Sequence, residues 1–301
     1  MIIIDLQQIM IANLFVSLKN YTNDELNEDF LRHMVLNSIR SYRQKFKSDY
    51  GEIVIASEGK EIWRKDVYPY YKANRKKIRD ESGLDWNSIF DSLHKIRDEI
   101  KDNFRYPVIH VDKCEADDII ATLCEKFGDV LSPPDEDDIF SMMNPNRSEE
   151  DILILSCDKD FIQLHSYSNV KQFDPIRKSY ISHPSPEKYL KEHIIRGDSG
   201  DGVPNILSPD DTFVSGSRQK RLSTTKVDFW ISQKPEEFCT NEMLRNFKRN
   251  EQMIDLECVP QNLKDEVISQ YEAQMNKPKS NLMNYFIKNR LKNLMQNIGD
   301  F

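Results

Sequence analysis

The stretch Asp151–Asp160, DILILSCDKD, decides the fold, because four consecutive apolar residues are followed at once by polar and acidic ones. A short apolar run bounded in this way is typical of a strand that is buried on both faces of a parallel sheet. It predicts a strand at Asp151–Ser156. The N-terminal MIIID, Met1–Asp5, has the same form and ends on an acid. Further strands are predicted at Glu52–Ala56, Tyr106–Val111 and Asn169–Phe173.

Helical patterns separate these strands. Apolar residues recur at helical spacing from Leu31 to Phe46 and from Ile89 to Ile100, and a third helix is predicted from Glu115 to Phe127. Alternating strands and helices predict an α/β fold with a mostly parallel sheet. No convincing strand follows residue 185, so we expect an α/β domain at 1–185 and a helical region at 186–301. The proline-containing acidic segment at about 130–150 is expected to be a surface insertion.

The charge of the chain is uneven. The formal net charge is −8, yet Lys60–Arg79 contains eight basic and two acidic residues. Such asymmetry indicates a surface that meets a polyanion, and two solvated loops are the alternative. No apolar window is long enough for a membrane span. Five cysteines without a CxxC spacing favour reduced thiols in a cytoplasmic protein and argue against zinc.

Acidic side chains follow the predicted strands repeatedly. Asp5 ends the first strand, Glu115, Asp117 and Asp118 follow the third, and Asp158 and Asp160 follow the fourth. Residues at the carboxyl ends of parallel strands converge on one edge of the sheet. Any single Asp is more typical of a helix cap or turn than of a metal site, but the members of the whole set would repel one another unless divalent cations neutralised them. Oxygen ligands favour Mg²⁺ or Mn²⁺, and two such ions beside a basic segment predict phosphodiester hydrolysis.

Four motifs in series carry a resemblance. They are Asp5 after a strand, CEADD (Cys114–Asp118), SCDKDFIQL (Ser156–Leu164) and RGDSGDGVPNI (Arg196–Ile206). In order and spacing they resemble the flap-endonuclease/5′→3′ exonuclease family, and are most similar to its ribonuclease H branch from T-even-type phages. That likeness extends to WRKDVYPYYKANR (Trp63–Arg75), VDFW (Val227–Trp230) and NYFIKNRLKNLMQNIGDF (Asn284–Phe301), and covers nearly the whole chain.

The resemblance implies a PIN-like nuclease fold with two magnesium sites, at which manganese can substitute. Asp5, Glu115, Asp117, Asp118, Asp158 and Asp160 would surround the ions, and Asp198 and Asp201 would complete the second site. The same motif would open a helix–three-turn–helix element that holds duplex DNA. There, Gly197, Gly200 and Gly202 would let the backbone approach phosphates, and Val203–Ile206 would lead into the next helix.

The basic segment, about residues 60–82, corresponds to the arch of that family. Lys72 and Arg75 match its catalytic cations and would share one face if Tyr71–Arg79 is helical. Further cations and aromatics are expected to contact phosphates and to stack on an unpaired base, although aromatic residues can equally be packing residues. These candidates are Arg64, Lys65, Tyr68, Tyr71, Lys76 and Lys77.

Three features depart from the family pattern. The acidic insertion around Pro133–Glu150 is longer than the likeness predicts. The family places an Asp at the end of the second strand, and here that position corresponds to Ala56, Ser57 or Glu58, depending on register. We interpret Glu58 as the replacement ligand. Asp5 also lies too close to Met1 for the N-terminal tail with which some relatives bind a sliding clamp, so no clamp binding of that kind is expected.

The leading hypothesis is a monomeric two-metal-ion phosphodiesterase in the cytoplasm of a phage-infected host cell. It would remove RNA primers and adjacent DNA during lagging-strand replication, acting on DNA and RNA·DNA hybrids with a 5′ flap or fork. A single-stranded-DNA-binding protein could dock on its C-terminal helices. One alternative is a nucleic-acid-binding module of the same fold with weakened catalysis, and another is a small-molecule phosphohydrolase with Asp158 as nucleophile.

Overall fold

The computed structural model describes residues 1–20, 27–129, 150–275 and 281–301, except for the side chains of residues 17–20 and 77–78. Most of the predicted acidic insertion, residues 130–149, lies outside the described residues. Among the described helices, none is long and apolar enough to cross a membrane. The five cysteines all fall within the described ranges, and their thiols are free.

One six-stranded sheet organises the chain, with strand order β3-β2-β1-β4-β5-β6. The strands are β1 Ile2–Asp5, β2 Ile53–Ala56, β3 Val108–Ile109, β4 Ile152–Leu155, β5 Val170–Asp174 and β6 Ser179–Ile181. The first five run parallel and β6 is antiparallel to β5. The predicted α/β fold with a mostly parallel sheet is confirmed. The edge strand β6 was not predicted, because its partly exposed residues form no apolar run.

The strand order reverses beside β1. From β1 the chain builds β2 and β3 on one side and then crosses over to build β4 and β5 on the other. In parallel sheets such a switch point opens a crevice at the carboxyl ends of the strands, where ligands bind. The loops after β1 and β4 therefore face one crevice between them.

Helices cover both faces of the sheet and form the region that follows it. They are α1 Leu6–Asn20, α2 Glu28–Tyr50, α3 Trp63–Val67, α4 Asn74–Glu81, α5 Trp86–Asn103, α6 Ala116–Phe127, α7 Pro186–Arg196, α8 Thr224–Ile231, α9 Pro235–Phe238, α10 Asn241–Ile254, α11 Gln261–Met275, α12 Leu282–Lys288 and α13 Lys292–Met295. Within the described residues, 3₁₀ helices lie at Lys159–Ser166, Leu256–Cys258 and Ile298–Asp300. The longest helix, α2, begins where the Asn27 side chain accepts a hydrogen bond from the backbone N–H of Phe30.

Three hydrophobic clusters fill the interior. One face of the sheet packs against α2 and α5, and Phe286 of α12 completes this cluster. The other face packs against α6 and α11. The third cluster joins Tyr68 and Tyr71 to α7 and α10. Because helices after residue 186 contribute to all three clusters, the predicted division at residues 185 and 186 does not separate independent cores.

Several local predictions were wrong. Helix α1 was missed entirely. Val203–Ile206 leads into turns instead of a helix, and the next helix begins only at Thr224. Helix α4 begins at Asn74, so the expected helix over Tyr71–Arg79 is shorter at its start, and Lys72 has a left-handed backbone with φ of 56°.

A buried ion network ties the C-terminal region to the first cluster. The guanidinium of Arg32, which is 1% exposed, pairs with Glu28, Asp29 and, from α5, Glu99 at 2.6 Å each. The hydroxyl of Tyr285 in α12 donates to the same Glu99 carboxylate at 2.9 Å. Three helices that are distant in sequence thus share one buried cation.

We expect Arg32→Ala to lower the free energy of unfolding by about 3 kcal/mol, because removing one partner of a buried ion network leaves charges without compensation. Lys95→Ala is the matched control, since Lys95 also pairs with Glu28, at 2.7 Å, but its side chain is 58% exposed. Its loss should be below about 1 kcal/mol. Urea denaturation measures both values, and equal losses would contradict a special role for the buried cation.

Candidate metal centre

Four strands deliver acidic side chains to the crevice. Asp5 is the last residue of β1, and Glu58 follows β2 by two residues. After β3, Glu115 N-caps α6 and Asp117 lies in its first turn. After β4, Asp158 N-caps the 3₁₀ helix that contains Asp160. All of these acids follow the carboxyl ends of parallel strands, which lie at one edge of the sheet.

Burial and neighbouring carboxylates raise the pKa values of Asp5 and Asp117. Burial raises the pKa of Asp5 to about 6, with repulsion from Asp158 and Glu58 adding to it. The backbone N–H of Gln8 donates to Asp5 at 3.0 Å and opposes this shift. Burial, followed by repulsion from Asp158, also raises the pKa of Asp117 well above its ordinary range. Such carboxylates are stabilised by a nearby divalent cation.

Asp158 and Asp160 form a second acidic pair. Asp158 accepts a hydrogen bond from the backbone N–H of Asp160 at 3.0 Å, so its role as a cap is real. It also acts electrostatically on Asp5, Asp117 and Asp160, so capping and metal binding are not exclusive for this residue. Burial, then repulsion from Asp158, raises the pKa of Asp160 to about 7.

Glu58 is the one carboxylate among the three candidates for the missing family Asp. Ala56 pairs with Asp5 in the sheet, and the backbone N–H of buried Ser57 donates to Ile109 at 3.0 Å. Burial raises the pKa of Glu58, although Lys72 acts in the opposite direction. The next residue, Gly59, has no room for a side chain, because a Cβ there would lie 2.5 Å from the carbonyl oxygen of Val111.

The Asp198–Gly202 turn contributes two acids that point to different neighbours. Asp198 accepts hydrogen bonds from the backbone N–H groups of Gly200 at 2.7 Å and Asp201 at 3.2 Å. Its other oxygen lies 3.5 Å from Nε2 of His193. Asp201 instead accepts a hydrogen bond from the hydroxyl of Tyr71 at 2.8 Å and pairs with Arg75. The joint completion of the second metal site by Asp198 and Asp201 stays a prediction, with Asp198 facing His193 and Asp201 facing Tyr71 and Arg75.

His193 is a site residue that the sequence reasoning missed. It lies in the last turn of α7, and its ring nitrogens lie 3.3 Å from Asp160 and 3.5 Å from Asp198. Within the described residues, Asp160, His193 and Asp198 offer ligand atoms that lie within 4.8 Å of one another. Its place in the helical turn that ends at the RGDSGD motif could have revealed it.

Lys72 and Arg75 lie beside the acids of the crevice, but they do not share a helical face, because α4 begins only at Asn74. The ammonium of Lys72 pairs with Glu115 and lies 3.5 Å from Asp201, with which Arg75 also pairs. The backbone N–H of Lys72 donates to the carbonyl oxygen of Asp201 at 2.7 Å. Burial works against the charged form of Lys72, but Asp201 and Glu115 raise its pKa overall.

Arg64 and Asp118 form a buried pair beneath the crevice. Their side chains meet at 2.7 Å, and Arg64 also donates to Glu115 at 2.9 Å and to the carbonyl oxygen of Met253 at 2.9 Å. Asp118 further accepts hydrogen bonds from the indole of Trp63 and the backbone N–H of Glu115. The prediction that Arg64 binds nucleic acid was wrong, because its side chain is only 2% exposed. Asp118 has the contacts of a positioning residue instead of those of a free ligand.

Other predicted nucleic-acid contacts divide by exposure. Tyr68 and Tyr71 are buried, so neither can stack on a base, and Gly202 is buried where a Cβ would lie 3.1 Å from the carbonyl oxygen of Tyr70. These three predictions were wrong, because residues of α7, α10 and the Asp198–Gly202 turn cover this part of the arch. Lys65, Lys76 and Gly200 are exposed, as is Tyr70. The side chain of Lys77 lies outside the described part of the chain.

The donor set suits hard divalent cations. Carboxylate oxygens dominate it, and His193 supplies the one nitrogen among the described side chains of the cluster that includes Asp160 and Asp198. Carboxylate oxygens, among which those of Asp5, Asp117 and Asp160 have raised pKa values, match Mg²⁺ or Mn²⁺. Lys72, Arg75 and the buried Arg64 pair with acids of the site. They therefore offset part of the repulsion among the carboxylates.

Two family profiles match the chain. Residues 1–132 match the 5′-3′ exonuclease N-terminal resolvase-like domain, and residues 184–301 match the C-terminal domain of T4 RNase H. The ribonuclease H of Enterobacteria phage T4 is 32% identical over 309 aligned residues, covering 99% of this chain and 95% of that protein.

Solved structures agree on the fold. A bacteriophage T5 protein crystallised with metal ions has a TM-score of 0.59 at 15% identity, covering 91% of this chain and 98% of that one. A T5 flap endonuclease in complex with DNA and metal ions gives 0.58 at 14% identity, covering 92% and 99%. The chain therefore belongs to the family of the phage T4 ribonuclease H, whose N-terminal part is that of the 5′-3′ exonucleases.

Proposed function

We propose that this nuclease is a magnesium-dependent 5′→3′ exonuclease and flap endonuclease with ribonuclease H activity. It removes RNA primers and the adjacent DNA during lagging-strand replication, in the cytoplasm of a host cell. The observation that carries the proposal is the convergence of Asp5, Asp117, Asp158 and Asp160 at the switch point of the sheet, beside Lys72.

We assign the ions to two groups of ligands. Asp5, Glu58, Asp117 and Asp158 would hold the first ion, with the Glu115 oxygen that faces Lys72 beside it. Asp160 and Asp198 would hold the second. When bound, two divalent cations lower the pKa of an attacking water and stabilise the leaving oxygen. Asp118 would act through Arg64 and the start of α6, and Asp201 would anchor Lys72 and Arg75.

The residues of the chain would divide the remaining work. Lys72 and Arg75, held by Asp201, would bind the phosphate oxygens on which charge develops. The exposed Lys65 and Lys76 would attract the strand, and Tyr70 is the exposed aromatic of the arch. Beyond the Asp198–Gly202 turn, exposed Arg218, Lys220, Arg221 and Lys226 would contact duplex phosphates. The T5 relative solved with DNA supports this class of partner.

The alternative is a nucleic-acid-binding module in which the missing family Asp has removed turnover. The Ala56 position favours it, because the residue that pairs with Asp5 in the sheet has no carboxylate. Glu58 argues against it, since burial raises the pKa of its carboxylate and its charge raises the pKa of Asp5, which supports a ligand role for Glu58.

Cleavage of a 5′-labelled RNA·DNA hybrid and of a 5′-flap DNA should require Mg²⁺ and stop when a chelator removes it. Asp158→Asn, or Asp160→Asn, should reduce single-turnover cleavage at least about 100-fold while binding persists, because it removes charge from the metal centre without changing side-chain size. Asp98→Asn, at an exposed position on α5, is the control. Wild-type binding without cleavage would support the alternative, and a variant within about tenfold of wild type would contradict two-metal catalysis.

Glu58→Gln should raise the Mg²⁺ concentration needed for half-maximal cleavage, because the first ion would lose one charged ligand. Glu61→Gln, an exposed acid in the same connection, should leave the titration unchanged. An Mg²⁺ titration of single-turnover rates compares the two. If Glu58→Gln also titrates like the wild type, Glu58 is a turn residue and the site functions with one carboxylate fewer.

The arch cations should separate into two kinds. Lys72→Ala with Arg75→Ala should lower the single-turnover rate by about 100-fold or more with a much smaller loss of binding, because preorganised cations act where charge develops. Lys76→Ala with Lys77→Ala should mainly weaken binding. The slope of the logarithm of the binding constant against the logarithm of the salt concentration should become shallower by about 0.7–0.9 per lost phosphate contact. Binding in Ca²⁺ and cleavage in Mg²⁺ are measured on the same flap substrate. Equal losses in both double variants would remove the catalytic assignment.

A further inference from the structure

The imidazole of His193 lies between two carboxylates that come from different parts of the chain. Its Nδ1 is 3.3 Å from Oδ1 of Asp160, which follows β4, and its Nε2 is 3.5 Å from Oδ2 of Asp198, which follows α7. The side chain is 17% exposed, so the ring is largely buried at the floor of the crevice. Its position joins the nuclease sheet to the Asp198–Gly202 turn.

The surroundings hold this ring in place. The backbone N–H of Gly197 donates to the carbonyl oxygen of His193 at 2.8 Å and closes the last turn of α7. One turn earlier on the same helix, the Tyr189 ring packs edge-on, with ring centroids 6.0 Å apart. Asp198 is fixed in turn by the N–H groups of Gly200 and Asp201. The three side chains therefore form a group that is preorganised by backbone contacts.

The spacing of this group is close to that of the ligands of a single metal ion. Its ligand atoms lie within 4.8 Å of one another. Two ligands at right angles around an ion with bonds of about 2.1 Å are about 3 Å apart, and opposite ligands are about 4.2 Å apart, so a shift of about 0.6 Å or less would bring the three side chains around one ion. A purely structural role is the competing explanation, in which a protonated His193 bridges the two acids and no ion binds there.

We propose that His193 is a nitrogen ligand of the second metal ion, and that Asp160, His193 and Asp198 make this subsite selective for a divalent transition-metal ion over Mg²⁺. The inference rests on the proposed metal-dependent function and deepens it. Mg²⁺ takes oxygen ligands and keeps several waters, whereas imidazole is a ligand that transition metals accept readily. The subsite around Asp5 and Asp117 has oxygen ligands alone and does not share this preference.

Mn²⁺ is the probe, because its electron paramagnetic resonance reports binding without any cleavage assay. The full-length protein should bind two Mn²⁺ ions, and an excess of Mg²⁺ should displace one of them. The retained ion should show the ¹⁴N coupling of a directly bound imidazole in pulsed spectra. This measurement on the wild-type protein does not depend on any variant folding correctly.

His193→Gln should abolish the ¹⁴N coupling and weaken the retained Mn²⁺ at least about tenfold, so that Mg²⁺ displaces both ions. His183→Gln is the matched control, because His183 packs on the same Tyr189 ring at 5.2 Å but bonds to Ser185, outside the cluster. Its Mn²⁺ affinity and ¹⁴N coupling should equal those of the wild type.

The outcomes separate this inference from the proposed function. Mn²⁺ binding without ¹⁴N coupling, or with unchanged affinity in His193→Gln, overturns the ligand assignment and makes His193 a bridge between two acids. If Mg²⁺-dependent cleavage persists in that case, the proposed function stands. If the wild-type protein binds no Mn²⁺ and cleaves neither substrate in Mg²⁺, both fail.

Discussion

Mutual repulsion among buried carboxylates is the constraint on which the centre of this molecule depends. Parallel strand order forces acids from four connections into one crevice, where burial and like charge raise the pKa values of Asp5, Asp117 and Asp160. The chain answers with cations from outside the sheet. Arg64 lies beneath the acids, and Lys72 lies among them. These cations therefore compensate part of the negative charge that the strand order gathers in the crevice.

The same electrostatics couple the arch to the helical region. The Asp201 carboxylate accepts a hydrogen bond from the hydroxyl of Tyr71 and pairs with Lys72 and Arg75. The carbonyl oxygen of Asp201 accepts a hydrogen bond from the backbone N–H of Lys72. Gly202, with φ of 74°, lets this turn approach the carbonyl oxygen of Tyr70 closely. The part of the chain expected to hold duplex DNA is therefore in direct contact with the cations expected at the reacting phosphate. A movement of the Asp198–Gly202 turn would therefore shift Lys72 and Arg75.

Local sequence patterns predicted the frame of the site and missed its surroundings. Apolar runs that end in acids, such as MIIID and DILILSCDKD, report both strand position and strand direction, so Asp5, Asp158 and Asp160 could be found from sequence. The burial of Arg64, Tyr68 and Tyr71 could not, because it depends on α7 and α10, more than a hundred residues away. His193 escaped because its partners converge only after the sheet and the Asp198–Gly202 turn meet. The left-handed Lys72 likewise reflects a tertiary contact and not a local preference.

The contacts of residues 282–301 also determine when the first hydrophobic cluster can be completed during synthesis on the ribosome. Phe286 and Phe301 pack on Phe104, and Arg40 pairs with Asp300 across 260 residues. Until these residues leave the exit tunnel, the apolar surface around Phe104 stays without its aromatic cover. Long-range closure of this kind slows folding and exposes aggregation-prone surface to other nascent chains. The candidate metal ligands, in contrast, all precede residue 202, so they are synthesised before the residues that cover Phe104.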